Sequence, residues 1–331
     1  MDAKKIGSIS DSQAFLVELF PNADHSEDYL FGYLSRYTGY LCKSIWQGNV
    51  REKDFIRAIS WIFAICSKSE ISLEDSLLQR FPSVCPYCIA SPCQCLETNK
   101  APVAYVPAYK IQEELEAKAM VLRNAGTILD FDAAISILSK VYPNNKVIWT
   151  YGGPWRHLVK IQEETSEVHE ALCGVMEDKL PKSLLGEEVA DTLAWVLSAW
   201  SIVFPDKSLN ESFIVYYQRG CPVCLKAVCF CSKRAERSSA FISSDALDEI
   251  GSQVEELSTM FQDHKEELLE LQKSLQAASS EQSEPVATNA VKQTKNTIER
   301  LESGLEATDR NAKRAASIFG SISKLLEGFL S

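Results

Sequence analysis

Apolar residues three and four positions apart run through most of the last quarter of the chain. Leu247, Ile250, Val254, Leu257, Phe261, Leu268, Leu271 and Leu275, with His264 as the one polar position, form a heptad seam. Polar sequence around Pro285 interrupts it, and it resumes from Val291 through Thr294, Ile298, Leu301, Leu305, Ala312, Phe319, Ile322, Leu326 and Phe329. The pattern predicts two helices about 50 and 60 Å long. Residues 245–275 carry nine acids and two lysines, whereas seven bases exceed five acids from Thr288 onward, so charge favours an antiparallel coiled-coil hairpin. The longer second helix leaves an apolar end to dock on the globular part or on another subunit. We therefore expect a homo-oligomer, or a partner protein, engaged through these C-terminal helices.

Two further helical patterns set acids at the border of an apolar face. In the stretch from Leu158 to Leu172, Glu163 and Glu167 are four apart and share a face, with Glu164 beside them. In the stretch from Leu185 to Leu197, Glu188 and Asp191 are three apart and also share one. Like charges at helical spacing repel, and more so when partly buried. A hard divalent cation such as Mg²⁺ removes that cost, because it takes carboxylate oxygens and keeps room for phosphates. One such motif alone reads as a solvated acidic face; two on neighbouring helices make a constellation.

Cysteine spacing changes the picture again. Cys85, Cys88, Cys93 and Cys95 follow the pattern C-P-x-C-x4-C-x-C, and Cys221, Cys224, Cys229 and Cys231 repeat it. Four thiolates in a short loop suit a closed tetrahedral Zn²⁺ site with a structural purpose; an iron–sulfur cluster or disulfides are the alternatives. The repetition extends upstream. Residues 72–76 before the first cluster parallel 208–212 before the second, Ala58–Trp61 parallels Thr192–Trp195, Leu30–Leu34 parallels 158–162, and Phe20-Pro21-Asn22 parallels Tyr142-Pro143-Asn144. A helical module therefore occurs twice. On this alignment Ser35, Arg36 and Gly39 stand where Glu163, Glu164 and Glu167 stand, Asp54 faces Glu188, and Arg57 faces Asp191, so the first copy is chemically degenerate.

Glu163-Glu164-x-x-Glu167 followed by Glu188-x-x-Asp191 resembles the metal-binding signature of the MazG-like all-α nucleoside triphosphate pyrophosphohydrolases. The likeness spans residues 132–217. It implies a four-helix core, Mg²⁺ held by those five acids, and cleavage of a (d)NTP to the monophosphate and pyrophosphate. It also implies that Lys207 and Asn210 serve the nucleotide, since they stand where that family places a Lys and an Asn. Because such enzymes commonly build their pocket across a dimer interface, a fused inactive copy supplies the other wall. Trp155, which can stack on a base, and His157, near the Glu164 face, complete the expected substrate-binding set, though packing is the blander reading of both.

The expected architecture is thus all-α: a degenerate module with its zinc loop over 1–96, a linker and connecting helix over 97–130, a catalytic module with its zinc loop over 131–238, and the helical hairpin over 243–331. Asp132 is the expected N-cap of the second module. The net charge of −11 disfavours wholesale nucleic-acid binding, and Arg219, Lys226, Lys233, Arg234 and Arg237 near the second cysteine cluster make a single basic patch. With no signal-peptide pattern or membrane-length apolar run, we expect a cytoplasmic protein with no membrane contact. The functional expectation is an Mg²⁺-dependent pyrophosphohydrolase for nucleotide-pool sanitation or for depletion in defence. The alternative is a nucleotide-sensing scaffold that recruits a partner through its coiled coil without turnover.

Overall fold

The computed structural model describes residues 6–21, 25–126, 128–229, 231 and 244–260, and beyond them 266, 268–273, 294–297, 318, 320 and 322. Among these, every regular element is helical. The helices are α1 (Ile9–Leu19), α2 (Glu27–Gln47), α3 (Glu52–Lys68), α4 (Leu73–Arg80), the single turn α5 (Cys95–Thr98), α6 (Ile111–Asn124), α7 (Phe131–Val141), α8 (Asn144–Gly152), α9 (Trp155–Met176), α10 (Lys182–Val203), α11 (Leu209–Tyr217) and α12 (Ser244–Met260). No helix among the described residues is long and apolar enough to cross a membrane.

Local chemistry sets the helix starts. Ser8, Ser26, Ser72, Asp130 and Ser208 each accept a hydrogen bond from the backbone N–H three residues on, which satisfies a donor that the helix itself leaves unpaired. The cap of α7 is therefore Asp130 and not Asp132. The Asp132 carboxylate instead accepts from Ser208 Oγ (2.5 Å) and Leu209 N (2.9 Å), tying α7 to the start of α11.

The repeat seen in the sequence is a repeat of elements. α1 to α4 and then α7, α9, α10 and α11 have lengths of 11, 21, 17 and 8 against 11, 22, 22 and 9 residues. α8 is an extra helix between α7 and α9, without a counterpart among the described residues of the first repeat; Gly153, with φ +78°, ends it. The buried positions also correct the alignment of α2 with α9 by one residue. Thr38 donates to Leu34 O and Thr165 to Ile161 O, and Leu34, Thr38, Leu41 and Ile45 are buried as Ile161, Thr165, Val168 and Leu172 are. Arg36, Tyr37 and Tyr40 thus stand where Glu163, Glu164 and Glu167 do, while Asp54 and Arg57 keep their places opposite Glu188 and Asp191.

α2 with α3 and α9 with α10 form two antiparallel pairs, and α2 packs on α9 as α3 packs on α10, so the two repeats share one four-helix core. Phe55 meets Trp200 edge-on at 5.3 Å, and Phe63, Phe131 and Phe213 join the halves at 5.4–6.4 Å. The fourth helix of each repeat crosses over: α4 lies on α10, and α11 lies on α3. Gly186 makes room for the first crossing, because a Cβ there would stand 2.8 Å from Ser76 Oγ. Residues 97–130 are accordingly no boundary between compact units. α6 packs on α4 with Leu115 and Ala119 buried, and the first unit runs Met1–Gln218.

The second unit, Arg219–Ser331, contains the second cysteine loop and α12. Seam residues Ile250, Val254, Leu257, Leu268, Leu271, Thr294 and Ile322 are buried. Gln272 Nε2 donates to Glu255 Oε2 at 3.3 Å, whereas one straight helix would hold these residues about 25 Å apart. The expected course of the first long helix beyond Met260 runs through residues outside those described. The expected pairing with the second long helix lies outside the described residues.

Candidate metal centre

The acids of α9 and α10 meet where these helices pack. Oxygens of Glu164, Glu188 and Asp191 lie within 4.8 Å of one another. Glu164 is buried at 5% exposure, on the side of α9 that carries Ile161 and Val168 into the core. Glu167, one turn on, lies near enough for its charge to help raise Glu188. Glu163 is excluded: one residue turns the helix by 100°, so its side chain points outward, 46% exposed, and meets Lys160 Nζ at 2.9 Å. Of five predicted acids, four gather. Glu163→Gln should therefore leave the Mg²⁺ response, read as a rise in melting temperature, within about threefold of wild type, as for other exposed ion pairs.

Two cations face the cluster from outside. Lys160 Nζ pairs with Glu164 at 2.8 Å, and Arg80 from α4 forks onto Asp191, with Nε to Oδ1 at 3.0 Å and Nη2 to Oδ2 at 2.8 Å. Arg80 Nη1 also reaches Glu187 Oε2 at 3.2 Å, and Nη2 lies 3.3 Å from Tyr87 Oη. Four neighbouring carboxylates against these two cations leave an excess of negative charge, which a proton on Glu188 or a bound cation offsets. Burial, then the charges of Asp191 and Glu167, push Glu188 up to about 7, and burial also raises Glu164 despite its bond to Lys160. A partly buried, all-oxygen set with that excess fits a hard divalent cation.

The raised carboxyl gives a pH signature. Glu188 favours its protonated form over the ordinary value of 4.5, so without a cation its contribution to stability is full below about 4.5 and is lost as pH rises through about 7. A divalent cation competes with that proton. Its affinity, followed by Mn²⁺ titration, should rise from pH 5 to about 7 and then level; a flat profile would contradict the assignment.

The other expected site residues lie elsewhere. Lys207 pairs with Glu52, and Asn210 Oδ1 accepts from Phe131 N at 3.0 Å, so both fasten α11 to its neighbours. The helix that brings a cation to Asp191 is α4. Trp155 is 54% exposed and meets Trp46 at 4.2 Å with the rings tilted by 43°. His157 is fully buried between Trp149 and Trp195, with Nε2 3.0 Å from Ser198 Oγ, and burial holds it near 4 and neutral; it is a core residue. Sequence reasoning missed Arg80, Lys160, Glu187 and Tyr87. Only the i, i+4 spacing of Lys160 and Glu164 carried a one-dimensional signal.

At the matching place in the first repeat the charge is reversed. Arg57 donates to Tyr216 Oη at 3.0 Å, as Arg80 donates to Asp191, and Tyr37 stacks with Tyr33 and Trp61 where Glu164 stands. No group of three metal-ligating side chains forms there among the described residues.

Each cysteine set converges. The four ligand atoms of each lie within 4.8 Å of one another, with Cys85–Cys95 at 3.5 Å, Cys88–Cys93 at 3.9 Å and Cys221–Cys231 at 3.8 Å. A tetrahedron of sulfurs around one Zn²⁺ has edges of about 3.8 Å. Both loops use the same turn: Cys85 N donates to Ala90 O and Ile89 N to Cys85 O, as Cys221 N does to Lys226 O and Leu225 N to Cys221 O. Ile89 and Leu225 share the left-handed conformation at φ 53° and 54°. Burial opposes charge on Cys85, yet backbone donors at Cys88 and Tyr87 hold its thiol below the ordinary value. Of the basic patch, Arg219 and Lys226 are exposed; Lys233, Arg234 and Arg237 lie outside the described residues. No family model, no curated protein and no solved structure matches this chain.

Proposed function

We propose that the chain is a Mg²⁺-dependent nucleoside triphosphate pyrophosphohydrolase of the MazG-like kind, with one acid centre and two structural Zn²⁺ loops. The observation that carries this reading is the meeting of Glu164, Glu188 and Asp191 oxygens within 4.8 Å at a partly buried helix pair. Replacing these acids together with their Arg80 and Lys160 partners by apolar side chains is often neutral for stability, so packing alone does not call for them.

Glu164, Glu188 and Asp191 would hold the cation. When bound, Mg²⁺ offsets triphosphate charge and acidifies water. Glu167, half-exposed beside Glu188 and outside the tight three-oxygen group, would orient water and accept its proton. Water oxygen bonds to the α phosphorus, the α–β bridging P–O bond breaks, and pyrophosphate leaves with that electron pair. No Ser, Cys or His nucleophile is needed.

The test is direct. Purified protein with Mg²⁺ and a panel of ribo- and deoxyribonucleoside triphosphates is expected to yield monophosphate and pyrophosphate in equal amounts. Tight triphosphate binding with no turnover on any nucleotide would instead make the chain a sensor.

A further inference from the structure

We propose that Arg80, delivered by the first repeat, is the phosphate-binding residue of the acid centre. It makes the centre prefer a metal–polyphosphate complex over the bare ion. This rests on reading the carboxylates as a divalent-cation site for phosphoanhydrides.

The geometry carries the argument. Arg80 ends α4, its side chain is only 16% exposed, and its planar fork meets both Asp191 oxygens. A guanidinium fork matches phosphate oxygens as well as it matches a carboxylate. A fixed positive charge on a metal ligand opposes a bare divalent ion. It does not oppose an ion that arrives with phosphates, because the guanidinium then gains an anion as Asp191 turns to the metal. Glu187 and Tyr87 hold the rest of the fork throughout, and the Tyr87 ring lies 5.4 Å beneath it.

Two more observations point the same way. Arg80 and Glu187 border a cavity of about 150 Å³ whose wall mixes Gln79, Gln112 and Ser183 with Ile71 and Leu115, and Lys182, paired with Glu70, stands at its edge, so a space of mixed polarity adjoins the guanidinium. Tyr87 belongs to the first cysteine loop, which is anchored by Cys93 N donating to Val141 O at 2.7 Å. The first repeat thus contributes a cation from α4 where the matching position of the second repeat, on α11, is Tyr216.

The test uses full-length protein, Mn²⁺ alone, and inorganic tripolyphosphate with Mg²⁺ present. Arg80→Gln should bind Mn²⁺ about threefold tighter or more, because a competing charge is gone, and tripolyphosphate about tenfold weaker or more. Arg80→Lys keeps the charge but loses the fork; it should hold Mn²⁺ as wild type does and still bind tripolyphosphate several-fold more weakly. A purely structural arginine would weaken both ligands together. Parallel losses, or an unchanged tripolyphosphate affinity in both variants, overturn the proposal. Should Arg80→Gln not fold, the lysine variant decides alone. Wild-type protein that binds both probes yet hydrolyses no nucleotide contradicts the hydrolase reading and leaves Arg80 standing; turnover with unaltered tripolyphosphate binding in the variants does the reverse.

Discussion

Glu188→Gln is expected to lower pyrophosphate release by about a hundredfold or more while raising the melting temperature of the metal-free protein. The two effects have one cause. Glu188 sits among Glu164, Glu167 and Asp191, and their charge together with burial pushes it up to about 7. At pH 8 the metal-free cluster carries that repulsion as destabilisation, and a neutral amide of the same shape removes it. The same amide takes a charged ligand from the cation. Changes even to groups behind the ligands commonly cost 10–100-fold, so a ligand itself should cost about as much or more. Mg²⁺ should accordingly raise the melting temperature of wild type and not of the variant. Asp191→Asn makes a useful contrast, since it also strips the charged partner from Arg80. It should lose turnover equally but fall in stability by about 1–3 kcal/mol, the cost of weakening a bond to a buried charged group. A Glu188→Gln protein that melts lower than wild type without metal, or still responds to Mg²⁺, would refute this account of the cluster.

Cys88→Ser is expected to have the largest effect on folding. Cys85 and Cys88 are at most 1% exposed and pack with Val141, and the loop's edge is pinned to α7 through Cys93 N. A structural Zn²⁺ contributes on the order of 10 kcal/mol of apparent binding energy, comparable to the whole stability of a domain. Losing one thiolate should lower zinc content by one ion per chain and drop the melting temperature of the first unit by well over ten degrees, given that about 1 kcal/mol shifts a domain of this size by 2–4 °C. The acid centre should suffer in turn, because Tyr87 of this loop braces Arg80. Metal analysis with calorimetry reads both. Full stability with one zinc missing would mean that the loop is an ornament on the helical core.

The sequence made part of this legible because helical spacing alone decides which side chains share a face. Glu164 with Glu167, and Glu188 with Asp191, are neighbours on any helix. Which of Glu163 and Glu164 turns inward depends on how α9 sits against α10, and that is settled by packing around Ile161 and Val168. The cysteine loops were readable since their ligands lie within eleven residues of one another. Arg80 was not, because it reaches Asp191 over 111 residues through the crossing of α4 onto the other repeat. The one-residue slip between α2 and α9 has a similar origin. Aligning Leu30 with Leu158 matches letters, whereas the bonds of Thr38 and Thr165 to the carbonyls one turn back match positions. Lys207 and Asn210 were misplaced for want of the same crossing, which sends α11 to α3 and leaves α4 beside the acids.

The most direct measurement is anomalous diffraction from crystals grown with Mn²⁺. A peak bonded to Glu164, Glu188 and Asp191, with Glu163 still turned to solvent, is what the account predicts. A map with no ion among these oxygens, and Arg80 still forked on Asp191 at saturating Mn²⁺ and triphosphate, would contradict it.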